Sequence, residues 1–255
     1  MEGESSQSEP QRSRSTAPPL TELERALVDE ALGLYARGWF PMAESFDARP
    51  NRVQWVQPNE RALIPLDARF HVPSSLAQRI RSERFVIRHD TAFGEVIRAC
   101  AAAKRRDIDG EPAGTWLHPM IIRLFELFHA SGQAHSIEAW RRVEAVGADR
   151  VVTAIPKAVV RAFDGTPHVL VGGLYGVAIG SAFCGESMFS RPDLGGTDAS
   201  KACLFHLVEH LRARDFTILD AQLANPHLAQ FGMYEIEQDE YLELLGVAAN
   251  HARSW

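Results

Sequence analysis

Three polar residues stand beside apolar stretches in the second half of this sequence, at positions where strands of a sheet would end. Asp220 and Gln222 lie in the stretch T-I-L-D-A-Q, and Glu186 follows the stretch F-C-G. Residues two apart in a strand project from the same face, so Asp220 and Gln222 can share one hydrogen-bond network. Because an ionised carboxylate is costly to bury without a partner, these groups form either a structural network or a site for acid–base chemistry. For Glu186 the structural alternative is an ion pair with Arg191.

Metal and nucleophile chemistry have little support in the sequence. His206 and His210 have the i, i+4 spacing of metal ligands, but they lie opposite the apolar stripe of their predicted helix. We therefore predict solvated surface histidines and no metal site. No Ser-His-Asp order and no G-x-S-x-G segment indicates a nucleophile. Three cysteines without a C-x-x-C pair predict reduced, buried thiols rather than disulfides or structural zinc.

The charge of the chain restricts how it can bind a nucleic acid. The 255 residues carry a net charge of −6, so any such contact needs a local basic patch. Basic residues flank one predicted helix, namely Arg79, Arg81 and Arg84 before it and Lys104, Arg105 and Arg106 after it. These clusters are either solvated helix ends or, on one common face, a surface for an RNA backbone. Trp39, Trp55 and Trp116 are candidates either for stacking on a splayed base or for the core.

No segment of the sequence suits a bilayer. No run approaches the roughly 18 apolar residues needed to cross one. The first 20 residues lack the apolar region of a signal peptide. We therefore expect a cytoplasmic protein without membrane contact.

The elements that position the polar residues follow a disordered tail over residues 1–19, which is too poor in apolar residues to fold. Thr21 is predicted to cap a helix with Glu24 as its capping-box partner, and the helix ends at Gly38. Short strands joined by turns then occupy residues 39–66. Residues 20–69 are thus predicted to form a small N-terminal α+β domain.

A larger α+β domain is predicted over residues 70–255. Its helices are expected near 74–82, from a cap at Asp90 or Thr91 to 103, from 119 to just before 132, after a cap at Thr197 or Asp198, and over 238–245. Its strands are expected near 85–88, 134–141, 169–179 and 216–223. On the strand 169–179, Leu174 shares its face with Gly176 and Gly180, so that face is either a ligand floor or a seat for a helix.

The chain carries these motifs in order: R-G-W-F-P, W-V-Q-P-N-E-R-A-L, F-H-V-P-S-S-L, D-T-A-F-G-E-V-I-R-A-C-A, G-T-W-L, G-Q-A-H-S-I-E-A-W, L-V-G-G-L-Y-G-V-A-I-G, G-E-S-M-F-S-R, D-A-S-K and L-D-A-Q. They resemble those of the leucyl/phenylalanyl-tRNA–protein transferase family over about residues 25–245. The resemblance implies a GCN5-type acetyltransferase-like catalytic domain with a mixed, mainly antiparallel sheet. It also implies that Leu or Phe, and by extension Met, is moved from aminoacyl-tRNA to the N-terminal Arg or Lys of proteins, which marks them for degradation.

Site roles follow from the same resemblance. It implies that Asp220 and Gln222 act on the incoming α-amino group and that Glu186 helps to place the substrates. The pocket for the aminoacyl side chain is implied to consist of Leu174, Phe183, Met188, Leu204, Leu211 and Leu219. Trp55 and Trp116 are implied to stack on the terminal adenosine of the tRNA, and the basic clusters would hold its acceptor stem. No cofactor, no metal, no DNA and a monomer are expected.

Two other functions remain open from the sequence. Arg191, Gly195 and Gly196 ahead of a helix resemble a pyrophosphate cradle, which would suit a coenzyme A-dependent N-acyltransferase. An inactive tRNA- or peptide-binding homologue is the second alternative. The chain departs from the family pattern at residues 143–168, which exceed a short hairpin, and at the lengthened loop 192–197.

Overall fold

The computed structural model describes residues 19–43, 53–103, 115–143 and 158–255 and the backbone of 105–106 and 112–113. These residues form seven α-helices, a short 3-10 helix at Pro192–Leu194 and twelve strands. The helices are α1 Glu22–Tyr35, α2 Ser74–Arg81, α3 Phe93–Ala102, α4 Pro119–Ala130, α5 Ala199–Arg212, α6 Pro226–Ala229 and α7 Gln238–Ala249. The strands are β1 Phe40–Ala43, β2 Val53–Val56, β3 Glu60–Ile64, β4 Val86–His89, β5 Arg105–Arg106, β6 Pro112–Ala113, β7 Ala134–Arg142, β8 Val160–Phe163, β9 Thr166–Ile179, β10 Ala182–Ser190, β11 Ile218–Gln222 and β12 Tyr234–Glu237. The predicted tail lies outside the described residues except for Pro19.

An eight-stranded sheet forms the centre of the molecule, in the order β12-β3-β11-β10-β9-β7-β4 with β8 paired to β9. Every pairing in it is antiparallel except that of β10 with β11, which run parallel. The predicted α+β class with a mixed, mainly antiparallel sheet is therefore confirmed. The long insertion at 143–168 contributes β8, which forms a hairpin with the start of β9.

Helices cover both faces of the sheet because successive strand residues point to opposite sides. Tyr175 of β9 packs in the core that α1, α3 and α4 complete, whereas Leu174 packs in the core that α2 and α5 complete. Helix α7 packs on Ala182 and Ile218, on the same face as α1. The predicted stripe of α5, which includes Leu204 and Leu211, is buried.

The division of the chain at residue 69 stays a prediction. Strand β3 precedes that residue, yet it is hydrogen-bonded to β11 and to β12, which both follow it. Helix α1 likewise contributes buried residues to the same core as α3 and α4. Residues on both sides of position 69 thus build one sheet and share one core.

Helix starts were predicted with mixed success. The capping box of α1 is present, since Thr21 accepts from the Glu24 N–H and Glu24 accepts from the Thr21 N–H. The cap of α3 at Asp90 or Thr91 is wrong, because the buried carboxylate of Glu138 on β7 accepts the N–H groups of Thr91 and Ala92 instead. The N-cap residue is Ala92, which has no side-chain capping bond, and Glu138 holds the backbone just before the helix, a contact that no local pattern signals.

The start of α5 also departs from its prediction. Asp198 occupies the N-cap position, but its side chain makes no capping bond. Its carboxylate forms ion pairs with Arg79 and Lys201 instead. The helix therefore begins where the sequence indicates, for a different reason.

The glycine-bearing face of β9 is the seat of helix α5. A Cβ on Gly172 would lie 2.4 Å from the Cβ of Ala199, the first residue of α5. A Cβ on Gly176 would lie 2.4 Å from the ring of Phe183, which occupies that space. The alternative of a helix seat is thus correct at Gly172, whereas at Gly176 the ring of Phe183 and the backbone of β10 take the space instead of a helix.

His210 of α5 is not the solvated histidine that the sequence predicted. Its Nε2 atom is buried without a hydrogen-bond partner, and its ring lies 4.3 Å from that of Trp255. The side chain of Trp255 covers the end of α5, so a face that is polar in sequence is closed by the C-terminal residues. All three cysteines are free and buried, as predicted. Among the described helices, none is both long and apolar enough to cross a membrane.

Candidate active site

A split in the sheet between β10 and β11 builds the candidate site. The two parallel strands pair from Ala182 and Ile218 as far as Cys184 and Asp220, and no further. Beyond that point β10 has an irregularity between Gly185 and Ser187 and continues beside β9, while β11 ends at Gln222. Glu186 and Gln222 each lie two residues past the last paired residues. A hydrogen bond from the Gln222 Nε2 to the Glu186 Oε1, 2.9 Å long, bridges the strands there.

Asp220 is fully buried and bonded on both of its oxygens. Arg61 donates its Nε at 3.0 Å and its Nη2 at 2.6 Å, and the hydroxyl of Tyr241 donates at 2.8 Å. The backbone N–H of Gln222 donates at 2.7 Å. Since these donors surround a carboxylate with no exposed surface, Asp220 has no lone pair left for a substrate.

Arg61 is buried as well, and its guanidinium is held from several sides. Its Nη1 donates to the carbonyl of Gly38 at 2.8 Å, and the rings of Phe40 and Tyr241 lie 4.9 Å and 4.4 Å from its central carbon. Burial acts to lower the pKa of Arg61, but the charge and hydrogen bonds of Asp220 outweigh burial and raise it. The pair is therefore an ionised, internally satisfied unit.

Gln222 stands in an unusual backbone conformation. Its φ angle is +65°, in the left-handed region, and β11 has a register shift against β3 between Asp220 and Gln222. Such a conformation costs about 1–2 kcal/mol in a non-glycine residue, and the bond from its N–H to Asp220 holds it in place. Asp220 and Gln222 thus belong to one network, as predicted, but the link between them runs through the backbone.

The orientation of the Gln222 amide follows from its partner. A carboxylate only accepts hydrogen bonds, so the nitrogen of the amide faces Glu186 and the oxygen points away from it. This oxygen accepts no hydrogen bond from the described residues, and Gln222 lines the cavity beside it. The amide oxygen of Gln222 is therefore a free acceptor at the split.

Glu186 is partly buried between Gln222 and helix α1. Its Oε1 accepts from the hydroxyl of Tyr35 at 2.7 Å as well as from Gln222, while its Oε2 is buried without a partner. Burial raises the pKa of this carboxyl from 4.5 to about 7, although the bonds from Tyr35 and Gln222 act in the opposite direction. The predicted alternative of an ion pair with Arg191 is wrong, because Arg191 pairs with Asp193.

One cavity of about 1270 Å³ passes through this split and touches both faces of the sheet. On the face of α1 and α3 it is lined by Phe40, Ala99 and Trp116. On the face of α5 it is lined by Leu204 and other apolar residues. The polar network of Glu186 and Gln222 lies between the two ends.

The side-chain pocket implied by the resemblance is only partly exposed to this cavity. Leu174, Met188, Leu204 and Leu219 line it. Phe183 and Leu211 are fully buried and stand behind the lining. Two further lining residues, Ile64 and Leu207, were missed by the sequence argument, although Leu207 belongs to the stripe that predicted α5.

The implied tRNA-binding residues are spread more widely. Trp116 lines the cavity, whereas Trp55 packs edge-on against Tyr35 at 6.0 Å and is absent from the lining. Arg79 forms an ion pair with Asp198, whereas Arg81, the last residue of α2, and Arg84 beyond it are exposed. Arg105 and Arg106 form β5, of which the backbone alone is described, and Lys104 lies outside the described residues.

Three residues of the network were not singled out from the sequence, namely Tyr35, Arg61 and Tyr241. Arg61 carried a signal, since it is a charged residue beside the apolar stretch Ala62–Ile64 of a buried strand. Tyr35 and Tyr241 lie on helices where an aromatic residue is an ordinary core residue, so only the fold shows their hydroxyls pointing at carboxylates.

Neither a metal nor a pyrophosphate cradle has support in the site. No group of potential metal ligands occurs among the described residues. The N–H groups of Gly195 and Gly196 donate to the carbonyls of Pro192 and Arg191 inside their own loop. They are therefore not free to bind phosphate in this conformation, contrary to the sequence-based alternative.

Comparisons with known proteins agree with the resemblance seen in the motifs. Residues 63–154 and 159–246 match the family described as leucyl/phenylalanyl-tRNA protein transferase. Proteins named leucyl/phenylalanyl-tRNA–protein transferase are similar to the chain. The one from Paramagnetospirillum magneticum is 45% identical over 87% of this chain and 88% of its own length, and the one from Herpetosiphon aurantiacus is 43% identical over 83% and 88%. The one from Rhizorhabdus wittichii is 41% identical over 86% and 74%.

One solved structure is also similar, that of FemX, with a TM-score of 0.45 and 12% identity over 86% of this chain and 71% of that chain. This likeness is too weak to support a statement about fold or function. The family match and the sequence relatives, by contrast, cover most of the chain at high identity. The chain belongs to the leucyl/phenylalanyl-tRNA protein transferase family.

Proposed function

We propose that this chain is an aminoacyltransferase that moves Leu or Phe from aminoacyl-tRNA to the N-terminus of an acceptor protein. The observation that carries the proposal is the free amide oxygen of Gln222 at the split of the sheet. Glu186 turns the amide by accepting from its nitrogen, and Asp220 holds the backbone behind it. An amine that approaches the split therefore meets the amide oxygen of Gln222 in a fixed orientation.

The chemistry requires alignment more than activation. The aminoacyl ester is already reactive, so the amine nitrogen attacks the ester carbonyl carbon, and the bond from that carbon to the ribose oxygen breaks. One proton leaves the amine and one reaches the departing ribose oxygen, so no proton is consumed overall. Gln222 accepts a hydrogen bond from the amine and orients its lone pair.

Glu186 is the residue we assign to proton transfer. A general acid–base works best when its pKa lies near the working pH, and burial raises the pKa of this carboxyl to about 7. One of its oxygens has no partner, so it can take the amine proton and return it to the ribose oxygen. Asp220, surrounded by donors, is a positioning residue that acts through the backbone of Gln222.

The two ends of the cavity suit the two parts of the donor. We place the terminal adenosine at Trp116 and Phe40, because an aromatic ring suits a base. We place the Leu or Phe side chain among Leu174, Met188, Leu204 and Leu219, where the flexible Met188 can adapt to either shape. The ester then lies at Gln222.

The tRNA and the acceptor protein are both proposed to contact charged residues of the chain. Arg81 and Arg84 are exposed and would contact the phosphates of the acceptor stem, together with the basic segment 104–106. The acceptor begins with Arg or Lys, whose charge suits the carboxylate of Glu186. We infer that the protein acts as a monomer in the cytoplasm, where charged tRNA is present.

The test supplies Leu-tRNA or Phe-tRNA with a peptide that begins with Arg and follows the mass of the product. We expect one added residue with the wild-type protein and a loss of most transfer with Gln222→Ala, while the unfolding temperature changes little. A parallel sample with acetyl coenzyme A tests the other acyltransferase chemistry. Acetylation of the peptide without aminoacyl transfer would refute the proposal, and a protein that binds charged tRNA without transfer would identify an inactive homologue.

A further inference from the structure

The indole of Trp255 lies in an aromatic cage at the far side of the sheet from Glu186. Its ring is stacked on His135 at 4.4 Å and on Phe183 at 5.1 Å, with interplanar angles of 13° and 21°. The ring of His210 lies 4.3 Å away at an angle of 49°, and that of His89 lies 6.0 Å away. Residues from β4, β7, β10 and α5 therefore surround one side chain of the C-terminal segment.

The segment before Trp255 is held to the body of the protein by its own contacts. The ring of His251 bonds to the carbonyl of Val247, and the guanidinium of Arg253 donates to the carbonyl of Asp215 at 3.3 Å. The indole nitrogen is buried and makes no hydrogen bond in the described residues. Stacking and apolar contact, rather than a polar anchor, thus account for the position of the ring.

Phe183 connects this cage to the cavity of the active site. Its ring lies against Gly176, where a Cβ would come within 2.4 Å, so it cannot move toward the strand. Trp255 covers the ring by stacking. Leu219 of β11, the residue that pairs with Phe183, lines the cavity, as does Leu174 on the face of β9 that bears Gly176. Phe183 thus joins the indole to the residues of this cavity wall within one apolar cluster.

We propose that Trp255 is a specificity-determining positioning residue that sets the depth of the aminoacyl side-chain pocket by fixing the ring of Phe183. The inference rests on the proposed function, because it assigns the Leu174 end of the cavity to the donor side chain. Without the indole, the Phe183 ring can turn into the vacated cage, and the pocket deepens behind Leu174. A deeper pocket favours Phe over Leu.

The experiment compares Trp255→Ala with the wild-type protein in transfer of Phe and of Leu to the same Arg peptide. A pocket change of one methylene alters discrimination by about tenfold or more, so we expect the Phe-to-Leu ratio of kcat/KM to rise about tenfold. Trp255→Phe should keep a ratio near that of the wild type, because a stacked ring remains. Indole added to Trp255→Ala should refill the cage, raise the unfolding temperature and move the ratio back.

A matched control separates this effect from general loosening. Leu245→Ala removes a fully buried side chain of α7 from a cluster on the opposite face of the sheet. It should lower the unfolding temperature without moving the Phe-to-Leu ratio. A ratio that stays within twofold in folded Trp255→Ala, or that shifts equally in Leu245→Ala, overturns the inference.

A Trp255→Ala variant that does not fold and a wild-type protein without transfer activity are the two other outcomes. If Trp255→Ala fails to fold, the smaller change Trp255→Leu carries the comparison, with binding of adenosine carrying amide-linked Phe or Leu as the readout. A wild-type protein that transfers neither residue refutes the proposed function, and this inference with it. Transfer with an unchanged ratio refutes this inference alone.

Discussion

The buried pair of Arg61 and Asp220 allows a test of whether Asp220 serves the site through charge or through position. The side chains of Arg61 and Asp220 are 2% and 0% exposed, and they meet at 2.6 Å. Removing one partner leaves an uncompensated buried charge, which costs about 3–5 kcal/mol. We therefore expect Arg61→Met and Asp220→Leu each to lower the free energy of unfolding by about that amount. Both replacements keep the approximate shape of the original side chain.

The double variant distinguishes the effect of an unpaired charge from the effect of losing the position that Asp220 holds. It contains no unpaired charge, so its loss of unfolding free energy should be well below the sum of the losses in the two single variants. What remains is the cost of three buried groups that lose a partner, namely the N–H of Gln222, the hydroxyl of Tyr241 and the carbonyl of Gly38, about 1–3 kcal/mol each. Because Gln222 is no longer held, transfer should stay low even where stability recovers.

Urea unfolding of the wild type, both single variants and the double variant gives the coupling energy between the two positions. We expect a coupling of about 3 kcal/mol or more, of the size seen for unpaired buried charges. Transfer of Phe to an Arg peptide is measured on the same samples, at a temperature where all are folded. Additive losses of stability would refute the charge argument, and full transfer by the double variant would refute the positioning role of Asp220.

Three other changes give separate checks. Burial raises the pKa of Glu186 to about 7, so between pH 4.5 and about 7 the folded state holds a proton that the unfolded state has lost, and stability falls as pH rises. Glu186→Gln should therefore have a higher free energy of unfolding than the wild type across that window, by about 3 kcal/mol in urea unfolding. Curves of unfolding free energy against pH that run parallel for the two proteins would contradict this. Gln222→Gly should relieve the left-handed backbone and keep the unfolding temperature within a few degrees while transfer is lost; retained transfer would exclude a role for the amide. Gly172→Ala, whose Cβ would lie 2.4 Å from that of Ala199, should cost about 1–3 kcal/mol through overpacking, as read from thermal unfolding, and an unchanged unfolding temperature would show that α5 can shift.

The sequence predicts most of the elements because their signals are local. The capping box at Thr21 and the proline that begins α4 each act within one turn, and the structure contains both as predicted. The apolar stripe of α5 likewise depends on periodicity alone. Strand β12 was missed, although its residues Y-E-I-E alternate between apolar and charged types as the residues of a half-buried strand do.

The parts of the site that escaped prediction depend on contacts between distant segments. Glu186 was matched with Arg191 five residues away, whereas its partner Tyr35 is 151 residues away. Asp220 has its partner Arg61 at a separation of 159 residues. His210 was expected in solvent because no helix periodicity shows that Trp255 covers it. Sequence spacing gives the chemistry of a residue, and the fold decides which other residue meets it.

The passage of the cavity through the sheet has a consequence for handedness. If the adenosine lies at Trp116 on one face and the side chain at Leu204 on the other, as proposed, the ester and the side chain of the donor leave its Cα in two fixed directions. The amino group and the hydrogen share the two directions that remain, and they exchange places in the mirror-image residue. A D-aminoacyl donor would thus turn its amino group toward the wall that faces the hydrogen of the L form. The opening between β10 and β11 supplies two of the three contacts that a chiral selection requires, and one contact to the donor amino group completes it.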